Sequence, residues 1–434
     1  MNYKFLVTGD IHLGRRTVHP SEEITDPDLS VSRSWQKLVD LAIEHEVEAL
    51  LLTGDVIDKE NAWFEALHRL STGLEKLNEH RIRVYAVAGN HDALVLPQLS
   101  EMRDRLENFN LLGRGQYWEV VRHICRDGRE IEIAGWSFDK EHTKVNPMAE
   151  LNQEPSTSPA LALLHTDLDG PSDSYYAPTT SRDLADSGWP VWLLGHIHKP
   201  EQRQTQSPLI LYPGSPHALH ANETGSHGPW LLQVNTEGVI STDQIPLSPI
   251  RYDEIEISLD GLQDADDWRS RFLTRVEEQA GHGNHSVNYR VIDLVCTGDP
   301  DLFETIEKHF QEDSEREISR SPSLYIHRLI NRTGLPPADL DHLAGKKDLI
   351  GILATLLKDF DHPENNESLR ELIQQTRLLK EKVMRYETFK PVLDVTDEET
   401  AGPVDAEEKI EELLREAVNE WLTELRKQEI ESQK

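Results

Sequence analysis

Residues 3–12, YKFLVTGDIH, join an apolar run to an acidic residue and a histidine. The run 3–8 has the composition of a strand and is followed at once by Gly9, Asp10 and, two residues later, His12. In an extended segment, residues two apart face the same way, so Asp10 and His12 are expected to present two ligands together. This stretch predicts a strand that carries metal ligands at its carboxyl end.

The same arrangement occurs four more times in the first 200 residues. Strands predicted at 49–53, 83–88, 160–164 and 191–194 each stop at a polar group that can bind a metal. The groups are Gly54-Asp55-Val56-Ile57-Asp58, Gly89-Asn90-His91-Asp92, His165 and Gly195-His196-Ile197-His198. Each group alone is more often a turn, a surface feature or a core histidine. Their succession indicates one shared site, with glycines where the backbone must turn beside an ion.

The seven candidate ligands are carboxylates, imidazoles and one amide, without a thiolate. They are Asp10, His12, Asp55, Asn90, His165, His196 and His198. This donor set suits two divalent ions of intermediate hardness, with Mn²⁺ preferred and Fe²⁺ or Zn²⁺ as alternatives. Asp55 stands between the two groups of ligands and is the expected bridge for ions about 3.5 to 4 Å apart. Such a pair would activate a shared water for in-line attack on phosphorus, which predicts a phosphoesterase.

His91 directly follows the ligand Asn90, and its side chain is expected to point away from the direction that Asn90 takes. We therefore predict that His91 is the general acid or oxyanion stabiliser for the leaving alkoxide. Either Asp58 or Asp92 is expected to hold its other ring nitrogen and fix the tautomer, and the spacing leaves that choice open. Three further histidines are interpreted as loop residues: His217, His220 and His227.

Length and composition restrict the class of protein. At 434 residues the chain is long enough for two or three domains, because single cores rarely exceed about 250 to 300 residues. No apolar run approaches the ~20 residues of a membrane span, and the start lacks a signal-peptide pattern. The two cysteines, Cys125 and Cys296, are too few for a disulfide framework, and neither has a partner at zinc-finger spacing. A reducing cytoplasm is expected.

The formal net charge of −33 bears on the substrate. Affinity for a nucleic-acid backbone comes mainly from Lys and Arg, so this balance favours a small soluble substrate over DNA. High salt in the habitat, bound divalent ions or a basic partner would each weaken that objection. The charge therefore leaves the substrate open.

The sequence divides into three regions. Residues 1–250 alternate strands with helices, the pattern of a layered α/β domain. Residues 251–332 follow a β-α-β-α-β order and predict a small separate domain. Residues 333–434 are predicted to be helical, with two heptad-like apolar stripes and an acidic linker at 394–405. Such stripes are more often packed on their own domain than bound to a partner. Individual helices are predicted at 32–46, 63–80, 267–279 and 302–310, and a loop at 146–158.

The ordered blocks quoted above resemble the signature of the calcineurin-like metallophosphoesterase superfamily. Five blocks are similar to the SbcD and YhaO group of DNA repair exonucleases: Gly9-Asp10-Ile11-His12-Leu13-Gly14, Leu164-His165-Thr166, Tyr175-Tyr176-Ala177-Pro178, Leu194-Gly195-His196-Ile197-His198-Lys199 and Tyr212-Pro213-Gly214-Ser215. The resemblance implies a four-layer core of two mixed sheets between helices, followed by an α/β capping domain. It also implies a DNA exonuclease or endonuclease with two metal ions.

The resemblance further implies two ligand sets that share Asp55, with His91 as the catalytic residue. One set is Asp10, His12, Asp55 and His198, and the other is Asp55, Asn90, His165 and His196. The implied partners are DNA, an SMC-like coiled-coil ATPase of the SbcC or YhaN type bound through the C-terminal helices, and a second copy of the chain. One departure is visible at 217–220, where HALH replaces the QGRH of YhaO-like sequences and removes an arginine that could meet phosphate.

Three functions remain open at the level of sequence. The first is a metal-dependent DNA nuclease subunit that acts in repair with an ATPase. The second is a phosphatase or cyclic-nucleotide phosphodiesterase for a small soluble substrate, which would use the same ions and ligands. The third is a binding or scaffold protein with a vestigial site.

Overall fold

The structure, a computed structural model, forms two compact units. One comprises Met1–Tyr252 with Gly283–Val291, and the other comprises Asp253–His282 with Ile292–Lys434. The domain boundaries that the sequence predicts near residues 250 and 332 remain predictions. The residues that the structure describes are 2–15, 26–59, 64–101, 106–204, 208–262, 267–279, 287–312, 317–320, 323–334, 337–360, 362, 366–384 and, between 410 and 428, all except 412, 416, 420, 423 and 427.

Two mixed sheets of six strands each form the first unit. The first sheet contains, in spatial order, β12 (Gly238–Gln244), β11 (Trp230–Asn235), β1 (Tyr3–Thr8), β2 (Ala49–Leu52), β3 (Arg83–Ala86) and β4 (Phe109–Leu111). The second contains β5 (Glu119–Ile124), β6 (Glu130–Trp136), β7 (Ala160–His165), β8 (Val191–Gly195), β10 (Leu209–Tyr212) and β9 (Glu201–Gln204). All five predicted strands are present. β1, β2 and β3 are parallel, as are β7 and β8, so their carboxyl ends share one end of each sheet.

The alternation of side chains along the strands builds four layers. On β1, Phe5 and Val7 belong to the core between the two sheets, whereas Leu6 packs on the other face. That other face is covered by α1 (Val31–Glu44) and α2 (Phe64–Glu79). The outer face of the second sheet is covered by α4 (Ser181–Asp186) and the 3₁₀ turn Pro147–Glu150. This arrangement confirms the predicted two mixed sheets between helices. The remaining helix of this region is α3 (Leu96–Ser100).

The second unit is built on a four-stranded sheet. Its strands, in spatial order, are β13 (Ile250–Ser258), β14 (Tyr289–Gly298), β16 (Ser323–Thr333) and β15 (Glu317–Arg320). Two helices, α5 (Asp267–Gln279) and α6 (Pro300–Glu312), contribute Trp268, Phe272, Phe303 and Ile306 to the core of this unit. The sheet contains the three predicted strands and adds β15, a short strand that the sequence pattern did not predict.

The C-terminal region is helical, as predicted. It contains α7 (Pro337–Ala344), α8 (Leu349–Asp359) and α9 (Glu367–Met384), followed by helical residues between 410 and 428. The two apolar stripes were predicted from Leu369, Leu372, Thr376, Leu379, Val383 and Tyr386 and from Ile410, Leu414, Ala417, Trp421 and Leu425. Leu369, Ile410, Leu414 and Leu425 do belong to one core, which also contains Ile373 and Leu422. Leu372, Leu379 and Trp421 are exposed instead. The predicted acidic linker at 394–405 lies outside the described residues. Among the described helices, none has the length and apolar character that crossing a membrane requires.

Candidate metal centre

The backbone turns sharply where the strands end at the candidate ligands. Asp10, His12, Asp55 and His196 have φ values of 48°, 49°, 50° and 103°, in the left-handed region that residues other than glycine rarely adopt. The expectation that Asp10 and His12 lie on an extended segment is therefore wrong. The turned backbone still brings them together with His198, because their ligand atoms lie within 4.8 Å of one another. Strain of about 1–3 kcal/mol per residue is typical of functional sites.

Two glycines permit the close approach of these strand ends. A Cβ atom on Gly89 would lie 2.1 Å from Asp55 Oδ1, and one on Gly195 would lie 2.1 Å from the carbonyl oxygen of Thr53. Neither contact is sterically possible, so any side chain at these positions would push the strand ends apart. The glycines leave room for the ligands, as the sequence predicted.

Asp55 lies between two groups of histidines. Its Oδ2 atom is 4.0 Å from His12 Nε2 and 3.4 Å from His165 Nε2. Its Oδ1 atom accepts a hydrogen bond of 2.9 Å from the backbone N–H of His91, which fixes the carboxylate. Burial would raise the pKa of Asp55, but His165, His91 and His12 outweigh burial and hold the pKa below its ordinary value. One anionic oxygen therefore faces both groups, the geometry that a bridging ligand requires.

The first group contains His12 and His198 together with Asp10. The Nε2 atoms of the two histidines are 3.1 Å apart in a buried position. His198 Nδ1 is 2.6 Å from Glu223 Oε1, so the Nδ1–H donates to that carboxylate and the Nε2 lone pair faces His12. Burial lowers the pKa of His12 to about 4, so its imidazole is neutral at physiological pH. Burial would lower the pKa of His198, but the charge and hydrogen bond of Glu223 outweigh burial and raise it. The neutral imidazole of His12 beside the carboxylate of Asp10 is a suitable cation ligand, and His198 would release a proton on binding an ion.

The second group contains His165 and Asn90, again beside Asp55. His165 Nδ1 lies 3.1 Å from the carbonyl oxygen of Thr53, to which it donates, so its Nε2 lone pair points into the centre. That Nε2 atom is 3.0 Å from Asn90 Oδ1. The amide oxygen, the imidazole nitrogen and Asp55 Oδ2 thus converge on one place.

His196 is held at the same centre by its backbone and its ring. Its backbone N–H donates to Asp10 Oδ1 at 3.1 Å. Its ring centroid lies 4.6 Å from that of Tyr176 and 5.4 Å from that of His165. Burial, with the neighbouring His165, lowers the pKa of His196 to about 3, which keeps the imidazole neutral. All seven predicted ligands are therefore neighbours, and their oxygen and nitrogen atoms suit two divalent ions of intermediate hardness.

His91 lies at the rim of the centre, with 19% of its side chain exposed, while the ligand side chains are buried. Its Nδ1 atom is 3.6 Å from Asp58 Oδ1. Asp92 has a different role: its carboxylate accepts hydrogen bonds from the backbone N–H groups of Val56 at 2.6 Å and Gly89 at 2.8 Å. Asp92 thus ties two ligand-bearing loops together. The carboxylate of Asp58 lies between His91 and His12, whose Nδ1 atom is 3.4 Å from the same Oδ1 atom.

Glu223 is the principal residue of this region that the sequence did not reveal. Besides His198, its carboxylate accepts hydrogen bonds from Ser215 Oγ at 3.0 Å and from the backbone N–H of Leu219 at 2.7 Å, and it lies 3.2 Å from His220 Nε2. Burial opposes its charge, but His198 and the neighbouring histidines outweigh burial and lower its pKa. Only its position within a histidine-rich segment could have marked it.

The three histidines interpreted as loop residues do lie in irregular segments, but they are buried. His220 faces Glu223, and His227 Nδ1 lies 2.9 Å from the carbonyl oxygen of Ser215. His217 Nδ1 lies 2.8 Å from Ser34 Oγ on α1. The segment after β10 is therefore packed against the metal centre, which the polar composition of that segment did not indicate.

Comparisons with known proteins agree with this geometry. Residues 3–200 match the model of the calcineurin-like phosphoesterase family. Metallophosphoesterase YhaO of Bacillus subtilis is 33% identical over 49% of this chain and 51% of its own length. DNA double-strand break repair protein Mre11 of Sulfolobus acidocaldarius is 26% identical over 60% of this chain and 69% of its own length. A dimetal phosphatase from Danio rerio is 12% identical, with 56% of this chain and 98% of that chain covered and a TM-score of 0.35.

These matches cover part of the chain. The chain spans about half the length of YhaO, with which it shares the higher of the two identities. The family match lies within the first unit and contains the seven candidate ligands. Residues 3–200 therefore form a calcineurin-like metallophosphoesterase domain.

Proposed function

We propose that the chain is a metal-dependent DNA nuclease, an exonuclease or endonuclease subunit that hydrolyses phosphodiester bonds in DNA repair. The observation that carries the proposal is Asp55 Oδ2, which faces His12 on one side and His165 on the other. Two divalent ions held there, Mn²⁺ by preference, would lower the pKa of a water and stabilise charge on the phosphoryl oxygens. In this proposal Asp10, His12, Asp55 and His198 hold one ion, and Asp55, Asn90, His165 and His196 hold the other.

His91 would act on the leaving group. It is the partly exposed side chain at the rim, so a phosphodiester above the centre can reach it. A protonated His91 would donate a proton to the leaving alkoxide, or a hydrogen bond to the charge that develops there. Asp58 would hold the Nδ1 side of the ring and so direct Nε2 toward the substrate. Asp92 would keep the two ligand-bearing loops in register.

DNA is proposed as the substrate because relatives named as DNA double-strand break repair protein Mre11 match this domain. The net charge of −33 favours the second candidate, a phosphatase or cyclic-nucleotide phosphodiesterase for a small soluble substrate. The proposal keeps DNA because bound cations would reverse the sign of the potential at the centre itself. DNA would then be bound mainly through the ions, with little help from the rest of the surface.

The proposal includes a cytoplasmic protein that works with an SMC-like coiled-coil ATPase of the SbcC or YhaN type. The C-terminal helices support docking, because Leu378, Leu379 and Trp421 expose 57%, 61% and 67% of their surface although apolar residues beside them are buried. Exposed apolar side chains on a helix face are typical of protein interfaces. A second copy of the chain completes the proposed assembly.

A nuclease assay separates the two candidate functions. Purified protein would be titrated with Mn²⁺ on short single- and double-stranded DNA at low salt, with and without the ATPase, and in parallel on small phosphoesters. Release of nucleotides that requires the metal is the expected result. Rapid hydrolysis of the small phosphoesters with intact DNA would instead establish the second candidate. Fewer than about two bound ions per chain, with no activity on any substrate, would indicate a binding protein.

A further inference from the structure

A second cluster of metal-ligand side chains lies at the opposite end of the two-sheet core. Glu48 comes directly before β2, whereas Asp55 follows the carboxyl end of that strand. His123 lies in β5, and Cys125 directly follows the end of that strand. Because β5 is antiparallel to β6, this end of β5 lies beside the amino end of β6. The cluster is therefore separate from the centre that contains Asp55.

The distances within this cluster suit one small cation. The carboxylate oxygen of Glu48, the imidazole nitrogen of His123 and the sulfur of Cys125 lie within 4.8 Å of one another. His123 Nε2 is 3.7 Å from Glu48 Oε2, which is too long for a hydrogen bond. A nitrogen and an oxygen ligand on a tetrahedral zinc ion are about 3.3 to 3.5 Å apart, given bonds of about 2.0 to 2.2 Å. The Glu48 side chain would therefore move by a few tenths of an ångström to share one ion with His123.

The imidazole of His123 is buried and directed into this cluster. Only 4% of the residue is exposed, and its Nε2 atom has no hydrogen-bond partner within the described part of the chain. Its Nδ1 atom is 3.2 Å from the hydroxyl oxygen of Tyr85. The ring packs edge-on against Phe5 and Tyr85, with centroids 5.9 and 5.7 Å away. A buried nitrogen without a hydrogen-bond partner destabilises the fold, so a ligand for it would be stabilising.

The other two ligand residues are placed by the backbone around them. Glu48 Oε2 accepts the backbone N–H of Arg126 at 3.1 Å, and the Arg126 guanidinium donates to the carbonyl oxygen of Val47 at 3.0 Å. These bonds tie the turn after β5 to the residues before β2. Glu48 keeps 14% of its side chain exposed, which gives an ion a path of entry. Cys125 is buried next to it.

We propose that Glu48, His123 and Cys125 bind one zinc ion that is distinct from the dinuclear centre. A thiolate, an imidazole and a carboxylate are the ligands that zinc takes in proteins, and a water molecule would occupy the fourth position. Tyr85 would fix the ring of His123 through Nδ1 so that Nε2 faces the ion. The ion would join β5 to the start of β2 and stabilise this end of the core.

Zinc binding would change the protonation of Cys125. Burial and the nearby carboxylate of Glu48 raise the pKa of the thiol to about 12, so the group is neutral without a metal. Binding would form the zinc–sulfur bond and release the thiol proton to solvent. The sequence did not predict this site, because His123 and Cys125 do not have zinc-finger spacing and Glu48 is distant along the chain.

Cobalt substitution tests the proposal in the intact protein. Under reducing conditions, Co²⁺ bound to a thiolate gives a charge-transfer band in the near ultraviolet, and the dinuclear centre contains no thiolate. The chain has two cysteines, so Cys296→Ser is the matched control for Cys125→Ser. We expect the intensity of the band to correspond to one thiolate-bound Co²⁺ per chain in the wild type and in Cys296→Ser, whatever the dinuclear centre takes up. The band should vanish in Cys125→Ser and disappear when Zn²⁺ is added.

The wild-type spectrum decides the proposal even if Cys125→Ser does not fold. No band at saturating Co²⁺, or a band that persists in folded Cys125→Ser, would overturn it. Glu48→Gln provides a second variant, since its partly exposed side chain can be changed without filling or emptying the core. We expect this change to weaken the thiolate-linked binding about tenfold or more. Unchanged affinity in Glu48→Gln would also contradict the proposed ligand set.

Discussion

The two ends of the two-sheet core differ in how their clusters are built. At the carboxyl ends of β1, β2 and β8, candidate ligands stand on strained backbone, as the positive φ values of Asp10, Asp55 and His196 show. At the other end, Glu48 and His123 have no such strain, and they meet only because distant segments pack together. A site made of strained turns needs glycines and short motifs, so it is visible in the sequence. A site made of ordinary backbone is visible only in the structure.

Loss of the bridging carboxylate is the largest expected effect. Asp55→Ala should reduce metal-dependent hydrolysis by about 10⁴-fold or more, because it removes the oxygen that faces both histidine groups. This loss of activity should exceed the loss caused by removing one stabilising donor. Glu48→Gln at the other end should leave hydrolysis unchanged. Initial rates with saturating Mn²⁺ would measure both. Equal losses in the two variants would remove the functional distinction between the two ends.

His91→Ala should lower kcat by about 10²–10³-fold while the bound metal stays the same, if His91 acts on the leaving group as proposed and does not hold an ion. Metal content by mass spectrometry and kcat on the same samples would test this. His68→Ala, an exposed histidine on α2, is the matched control and should behave like the wild type. If His91→Ala lost metal in proportion to activity, His91 would have to be reassigned as a ligand.

Glycine substitutions compare the crowding at the two ends. Gly195→Ala should lower the free energy of unfolding by about 3 kcal/mol or more, because its Cβ would collide with the Thr53 carbonyl. Gly128→Ala, in the turn between β5 and β6, should cost only about 1–2 kcal/mol, since its φ is +87° but no described atom lies within 4 Å of the new Cβ. Urea unfolding of the metal-free variants would measure the difference. Similar values would show that the ligand end is not crowded.

The smallest expected effect concerns Glu223, which positions His198. Glu223→Gln should weaken Mn²⁺ binding about 10–100-fold, because the ring loses the charged acceptor of its Nδ1–H. Calorimetric titration would measure the affinity without relying on activity. Glu201→Gln, an exposed glutamate on β9, should bind Mn²⁺ as the wild type does. An unchanged affinity in Glu223→Gln would mean that burial alone holds His198.

The part of the fold that carries the candidate ligands could be predicted, because each of its strands is apolar and ends at a glycine or polar motif. Helix α5 was likewise predicted with its observed bounds, since its ends coincide with changes in composition. Seven of the twelve described strands of the two sheets were not predicted, namely β4, β5, β6, β9, β10, β11 and β12. Of these, β5, β9 and β12 are half-exposed and lack a continuous apolar run. The left-handed turns at Asp10 and His12 were missed because a strand pattern does not show where extension ends.

The candidate site, like the fold, was predicted only in part. Every predicted ligand lies at one place, yet Glu223 and its contacts arise from a segment that the sequence marked only as a loop. The choice between Asp58 and Asp92 needed the structure as well. Both follow a strand closely, and only their hydrogen bonds show that Asp92 is used by the backbone of the loops.

Titration with Mn²⁺ followed by electron paramagnetic resonance tests most directly whether one oxygen of Asp55 joins two ions. We predict that the wild-type centre takes up two ions and gives an exchange-coupled spectrum, because a shared ligand holds the ions about 3.5 to 4 Å apart. Asp55→Ala should lose the coupled signal. A wild-type protein that binds one ion at this centre, or two ions without coupling, would contradict the assignment of Asp55 as the bridge.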